Sequence, residues 1–587
     1  MPDSPDAVHR YHDGTKHHFQ RFASSLGYLD WASQPHPFRG FAGAPAFPLF
    51  PAPDAAAAGY TPRTIAYDRL FDPPDRIVPV SAPAVGDLLR HALGLSAWKE
   101  IRTSRWSLRV NPSSGNLHPT EAYLVCGSMP GLADSPAVYH YAADRHALEL
   151  RSALDPSSWT AATDGRLDLL LVALTSIHWR ESWKYGERAF RYCQHDLGHA
   201  VAAVVASAAA VGWRARLLPG WPHRAIAALT GIDRDEDFVE AEREEPGCVL
   251  AIGPHDDVNN VVSQVVSHAL CEALVAAAKA GRWTGRASRL SDDHVQWTFI
   301  DEIARATEDP GRAASETGQR LRPCRAGRRG ISESSRWGWG PSATEKMMAG
   351  AMTGPVAGAR EARALFLQRR SAVALDGRSS IDREGFFAML AAVMPDDRPP
   401  WDAIWWRPRV HLALFVHRVD GVAPGLYLLP RDPAAHDALR AAMGRDFLWE
   451  PDGDPGAVVP LVCLAKGDCR RLAERLSCDQ AIAAEGFFSL GMIAEFDASL
   501  EGHGPSFYRH LFWESGIVGQ VLYLEAEAAG ARATGIGCFY DDPVHDALGL
   551  RDHAFQSLYH FTVGVPVDDT RLTTSPGYSW ELDHLVI

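Results

Sequence analysis

Residues 104–121 read SRWSLRVNPSSGNLHPTE and run directly into the apolar stretch AYLVC. Two prolines, a glycine, serines, two asparagines, His118 and Glu121 stand at the mouth of what reads as a buried strand. Hydroxyls, an amide and exposed backbone N–H groups in one turn make a hydrogen-bonding wall for a polar ligand, and Gly115 lets the backbone come close to it. The plainer reading is a surface turn. A second candidate is WKYG, Trp183–Gly186. A lysine stripped of water beside a bound group has its pKa lowered and can act as a base, and an adjacent tyrosine can donate to or orient a substrate. Against that stands an exposed lysine and a half-buried tyrosine ahead of a helix. His195 and His199 have the i,i+4 spacing of metal ligands on one helix face, yet no acidic residue or third histidine completes the set, which favours a structural or substrate-facing role. His118 either approaches a ligand or caps its turn. Trp401, Trp405 and Trp406 fit core packing better than a ligand face. No G-x-G-x-x-G follows a strand, so no dedicated dinucleotide-binding domain is expected.

The rest of the chain must position these residues. At 587 residues it exceeds a single core and implies two to four domains. Its 46% hydrophobic and 22% charged content is that of a soluble globular protein. A net charge of −14 excludes a general nucleic-acid or membrane-surface binder, either of which needs a positive field. Nine scattered cysteines, none spaced C-x-x-C, suggest neither a disulfide framework nor a zinc site and suit a reducing compartment. The first residues carry no apolar signal core, and the longest apolar run, Ala200–Trp213, is shorter than the ~20 residues of a membrane span. A cytoplasmic location is expected.

The sequence also repeats itself. FRYCQHDLGHAVAAVVASAAAVGW (Phe190–Trp213) aligns without a gap on YRHLFWESGIVGQVLYLEAEAAGA (Tyr508–Ala531), so that Arg191 meets Arg509, Gly198 meets Gly516 and Gly212 meets Gly530. Each copy reads as a buried helix stopped by a glycine. Upstream, Glu121–Tyr141 resembles Val410–Leu429: a β-rich run, a turn, then Pro-x-x-Tyr opening a second strand, which predicts one hairpin per half. CVLAIG (Cys248–Gly253) and YHFTVGVP (Tyr559–Pro566) read as final strands. The expected class is α+β, with a mostly antiparallel sheet flanked by helices in each of two domains, 1–280 and 346–587. Between them, 281–345 is rich in Arg, Gly and Ser and reads as a linker with one short helix near Val295–Ala306.

SRWSLRVNPSSGNLHPTEAYLV, WKYGERAFRYCQHDLGH and the opening YHDGTKHHF (Tyr11–Phe19) resemble the SagB-type dehydrogenases. These form a branch of the FMN-dependent nitroreductase superfamily that includes thiazole/oxazole oxidases acting on azoline rings in peptides. LFLQRRSAVALDGR (Leu365–Arg378) is similar to the helix opening where that superfamily holds the FMN phosphate, although Val373 stands where a basic residue is usual. The superfamily binds flavin across a homodimer interface. For a chain with two copies, the resemblance implies an intramolecular pseudo-dimer with one FMN per chain. Pro112, Ser113, Ser114, Gly115 and Asn116 would come from the first half, and Arg369, Arg370 and Ser371 would grip the phosphate from the second. Gly535, Ile536 and Gly537 (within ATGIG) would wall the ring, and Arg571 would reach the phosphate. Lys184 and Tyr185 match a pair implicated in azoline oxidation, in which a proton goes to one of them and a hydride to the flavin.

The complementary site reads as degraded. RPPWDAIWWRPR (Arg398–Arg409) replaces the Pro-Ser-Ser-Gly-Asn loop, RTIAYDR (Arg63–Arg69) replaces Arg-Arg-Ser, and Gly502-His503 falls opposite Lys184-Tyr185. The expected activity is FMN-dependent dehydrogenation of a heterocyclic or otherwise activated C–H substrate, a small molecule or a modified peptide, by a monomer open to further association. Two alternatives stay open: an NAD(P)H-dependent nitro or quinone reductase, and a non-catalytic binding scaffold.

Overall fold

Both predicted hairpins form. The strand Thr120–Cys126 pairs with Ala137–Ala142, setting Leu124 opposite Tyr139, and Val410–Val416 pairs with Gly425–Leu429, setting Leu414 opposite Tyr427. The computed structural model describes residues 5–49, 60–163, 169–254, 266–312, 360–444, 446–452 and 459–583. Around each hairpin a sheet grows in the same spatial order. In the first half Ala137–Ala142 is followed by Thr120–Cys126, Leu170–Ser176, Glu245–Gly253 and Arg214–Leu217; in the second, Gly425–Leu429 by Val410–Val416, Phe488–Glu495, Phe555–Gly564 and Arg532–Ile536. Every pairing in these two runs is antiparallel. Their central strands are buried along their whole length because helices cover the sheets, which explains why they read as continuous apolar runs rather than alternating ones.

The repeated segments are the helices Ala189–Val211 and Phe507–Ala528, and they pack on each other at the centre of the molecule. They cross at the two aligned glycines. A Cβ at Gly198 would stand 2.2 Å from the Trp513 carbonyl oxygen, and one at Gly516 would stand 2.2 Å from that of His195. Only glycine permits so close an approach of two backbones. Gly212 caps the first helix in the left-handed region (φ 102°).

Each end of the described chain engages the opposite half. The His12 ring, on the helix Pro5–Gly14, hydrogen-bonds with Tyr508 and Gln556. From the other end, Thr573–Pro576 joins Leu95–Ile101 and Ser104–Arg109 in a three-stranded sheet, and the Tyr578 hydroxyl donates to the Ala143 carbonyl. The expected linker is part of the fold over its first stretch: Arg282–Trp283 pairs with Ser152–Ala153, Arg286–Ala287 with Phe41–Ala42, and Thr298–Ala306 is a helix with a buried apolar face. Arginine and glycine content alone does not reveal that these residues pair as short edge strands. Residues 313–345 of that segment lie outside the described residues. Among the described residues, no helix is long and apolar enough to cross a membrane.

Candidate functional site

A cavity of about 400 Å³ opens between the two halves, within the ~300–1,000 Å³ of typical small-molecule sites. Its first wall is the 112–116 loop. Asp196, on the first central helix, accepts from the Ser114 amide (3.0 Å) and hydroxyl (2.9 Å), and the Ser113 hydroxyl accepts from the His118 amide (2.7 Å). The Asn116 side chain donates to the Ser107 carbonyl (2.9 Å). Gly115 and Asn116 both adopt positive φ, 59° and 61°. At Gly115 a Cβ would meet the Tyr185 hydroxyl at 2.6 Å and the Lys184 ammonium at 3.2 Å. The loop is therefore pressed against the Lys-Tyr pair, and glycine is required where it passes. That pair ends the helix His178–Tyr185, which is followed by Gly186 at φ 56°, where a side chain would strike the Ser24 carbonyl. Tyr185 lines the cavity; Lys184 is half-buried and reaches the loop without lining it.

The second half supplies the facing wall. The helix Ala362–Gln368 ends just before Arg369, and its N-cap is the Glu361 carboxylate, which accepts from the Ala364 amide. Arg369 is buried and donates to the carbonyls of Val110 and Arg109, while Arg370 donates to those of Ser96 and Leu367. Ser371 bridges to Ala533 of the Arg532–Ile536 strand, and its hydroxyl meets Tyr523 at 2.9 Å. The Tyr523 hydroxyl also accepts from the Gly535 amide (3.0 Å), and Tyr192 donates to the Gly537 carbonyl (3.1 Å). Both glycines are sterically required, since a Cβ at 535 would lie 1.8 Å from the Tyr559 hydroxyl and one at 537 would lie 2.4 Å from the Tyr192 ring.

One end of the cavity is strongly cationic. Lys99, Arg109, Arg369 and Arg370 line it, and among the described residues none of them is in an ion pair. Burial, then the charge of Arg369, holds Arg370 down at about 10; burial and Arg370 lower Lys99. Arg369 Nη1 is buried and meets no protein partner. Crowded guanidinium groups with a spare donor are complementary to a phosphate. The opposite end is acidic and aromatic. Burial pushes the Asp196 carboxyl up to about 7, and raises Glu181 beside it well above the usual carboxylate range, with Asp196 adding to the effect. Burial, then Glu181, also drives the Tyr185 phenol well above its ordinary value. Tyr185 therefore holds its proton at neutral pH and can donate but not serve as a base.

The cavity brings together Pro112, Ser113, Ser114, Gly115, Asn116, Tyr185, Arg369, Arg370, Ser371, Gly535, Ile536 and Gly537, residues expected from the sequence to form one site. Arg571 is not among them. It is exposed and its guanidinium grips Asp569, two residues before it. Val373 lines the rim. His195 and His199 are buried, His195 stacked on the Tyr559 ring at 4.1 Å, and only His199 lines the cavity. Glu121 turns inward to Arg180 and His140. Trp401 and Trp406 are core residues. Sequence reasoning missed Lys99, Trp106, Arg109, Asp196, Tyr192, Tyr523 and Tyr559; the repeat's alignment of Asp196 with Glu514 was the one signal that could have singled any of them out.

The fold is that of the nitroreductases. A candidate nitroreductase from Anabaena variabilis superposes with a TM-score of 0.64 at 20% identity, covering 96% of this chain and 99% of its own. Local likenesses extend to the E. coli microcin synthetase McbBCD complex with truncated pro-MccB17 bound (TM-score 0.25, 19% identity, 35% of this chain and 74% of that one). A nitroreductase-type protein from Ralstonia eutropha is similarly matched (TM-score 0.22, 15% identity, 38% of this chain and 95% of that one). No protein-family model matches the chain, and no curated protein does.

Proposed function

We propose that this protein is an FMN-dependent oxidoreductase of SagB type, binding one flavin per chain between its halves and dehydrogenating a heterocyclic, azoline-like or otherwise activated C–H substrate, free or within a modified peptide. The observation that carries this reading is the composite cavity, in which a hydroxyl- and amide-lined loop from the first half shares one space with four cations outside any described ion pair, Lys99 and Arg109 from that half and Arg369 and Arg370 from the second. Those residues fit FMN: Arg369, Arg370 and Lys99 would hold its phosphate, while Ser113, Ser114, Gly115 and Asn116 with Gly535–Gly537 would border its ring and ribityl chain. Bound there, the flavin would supply hydride-accepting chemistry.

The chain's own residues then divide the remaining tasks. Tyr185 keeps its hydroxyl proton and donates to substrate. Asp196, poised near neutrality, takes up or returns a proton through the Ser114 hydroxyl it already contacts. Lys184 sets the charge beside the loop. Gly115, Gly535 and Gly537 let the backbone of each wall lie directly against Tyr185, Tyr559 and Tyr192.

The test is the visible spectrum of purified protein with heat-released flavin quantified. We expect one FMN per chain, lost in Asn116→Ala and in Arg370→Ala although these lie in different halves, and retained in Arg571→Ala. Failure to load any flavin from excess FMN would sink the proposal; two per chain would sink the single-site part of it.

A further inference from the structure

Next to the cavity wall, the fold brings together two cysteines that the sequence keeps 60 residues apart. Cys538 follows Gly537 and lines the cavity; Cys478 stands on the turn Leu476–Gln480 across from it. Their sulfurs are 2.7 Å apart, a small side-chain movement from the ~2.03–2.05 Å of a disulfide. Both side chains are partly exposed, whereas the other six described cysteines are buried.

The apposition is enforced from several sides. The Gln480 side chain donates to the Cys538 carbonyl (3.1 Å), the Tyr540 amide to the Leu476 carbonyl (2.9 Å), and the Tyr540 hydroxyl to Asp479 (3.1 Å). Cys478 and Asp479 both adopt left-handed backbone conformations, φ 55° and 56°, which cost energy in non-glycine residues and persist only where the surroundings impose them. Arg188, held by Asp541 and donating to the Gly537 carbonyl (3.3 Å), and the His17 ring, 3.7 Å from the Cys538 sulfur, face the pair. Contact with Cys478 lowers Cys538 against its burial, with Arg188 acting in the same direction, and the contact raises Cys478 in return. Such an electropositive, partly open setting is that of a reactive thiol.

We propose that Cys478 and Cys538 are a redox pair oxidised by small-molecule disulfides. The Cys538 thiolate attacks one sulfur of RS–SR; a Cys538–SR bond forms, the RS–SR bond breaks, and the departing thiolate takes a proton. Cys478, its proton released, attacks the Cys538 sulfur; the Cys478–Cys538 bond forms and the second RS⁻ leaves and is protonated. Two protein thiols lose two electrons and two protons, and the disulfide becomes two RSH. The bond ties the 476–480 turn to the cavity wall. It does not depend on what fills the cavity.

The full chain is equilibrated in reduced and oxidised glutathione at graded ratios, quenched in acid with an alkylating agent, and examined by intact mass and peptide mapping. We expect two of the nine thiols to be lost together, a single crosslink between the peptides of Cys478 and Cys538, and reversal by dithiothreitol. In Cys478→Ser, one glutathione adduct should accumulate on Cys538 instead. Nine alkylated thiols at every ratio would overturn the proposal, as would a stable glutathione adduct on wild-type Cys538 without the crosslink. So would a zinc ion retained by His17, Cys478 and Cys538 that keeps both sulfurs reduced.

Discussion

The two central helices carry a carboxylate at the same aligned position, Asp196 in the first half and Glu514 in the second, and each binds the segment that leads into its own hairpin. Asp196 holds Ser114 and faces open space. Glu514 accepts from the Trp406 indole (3.0 Å) and the amides of Arg409 and Val410 (3.1 Å each), and pairs with the fully buried Arg431. Around it Trp405, Trp406, His503, Phe507 and His510 fill the region, with Trp406 4.9 Å from the His510 ring and Phe507 stacked on it at 5.1 Å. One scaffold thus yields a cavity where small residues and unpaired cations meet, and a solid aromatic core where indoles replace serine and glycine. In the second half the segment that leads into the hairpin packs its indoles onto this carboxylate, where the first half leaves its loop beside open space.

The sharpest way to break this contrast is Glu514→Gln. It leaves Arg431 buried without a counter-charge, and urea denaturation should show a loss of about 3–5 kcal/mol; a loss near zero would mean that the closed end does not rest on this carboxylate. Asp196→Asn should behave differently. A carboxyl whose folded pKa is raised contributes stability fully present below its unfolded value of about 3.8 and lost as pH rises through about 7. The wild type should therefore lose up to roughly 4 kcal/mol across that window through this group, and the asparagine variant should show a shallower decline in denaturation midpoints measured from pH 4 to 8, what remains coming from the raised Glu181 carboxyl beside it. A smaller, symmetric effect belongs to the crossing. Gly198→Ala and Gly516→Ala should each cost about 1–3 kcal/mol by the same assay, and a marked inequality would show that the halves do not share one packing requirement.

The hairpins, the central helices and their glycine stops were legible because each depends on local periodicity and punctuation. The loop at 112–116 and the arginines at 369 and 370 were legible as motifs. Lys99 and Trp106 were not, because they sit on strands whose pattern is that of any hairpin, and the three-stranded sheet that places them at the cavity needs a partner strand, Thr573–Pro576, from the far end of the chain. Cys478 and Cys538 meet only through tertiary packing. Arg571 misled for the opposite reason: Asp569, two residues before it, satisfies it locally, a signal present in the sequence as Asp-Asp-Thr-Arg.

The division of the cavity between the halves has a kinetic consequence. Synthesis proceeds from the N-terminus, so the 112–116 loop is made long before Arg369 and Gly535–Cys538, and no complete binding surface exists until the second sheet has docked. Ligand capture is for this reason a late event. If the chain were divided between residues 312 and 360, recovery of ligand binding would follow second-order kinetics in the two fragments, and the apparent affinity of the site would fall in proportion to the fraction of fragments left apart.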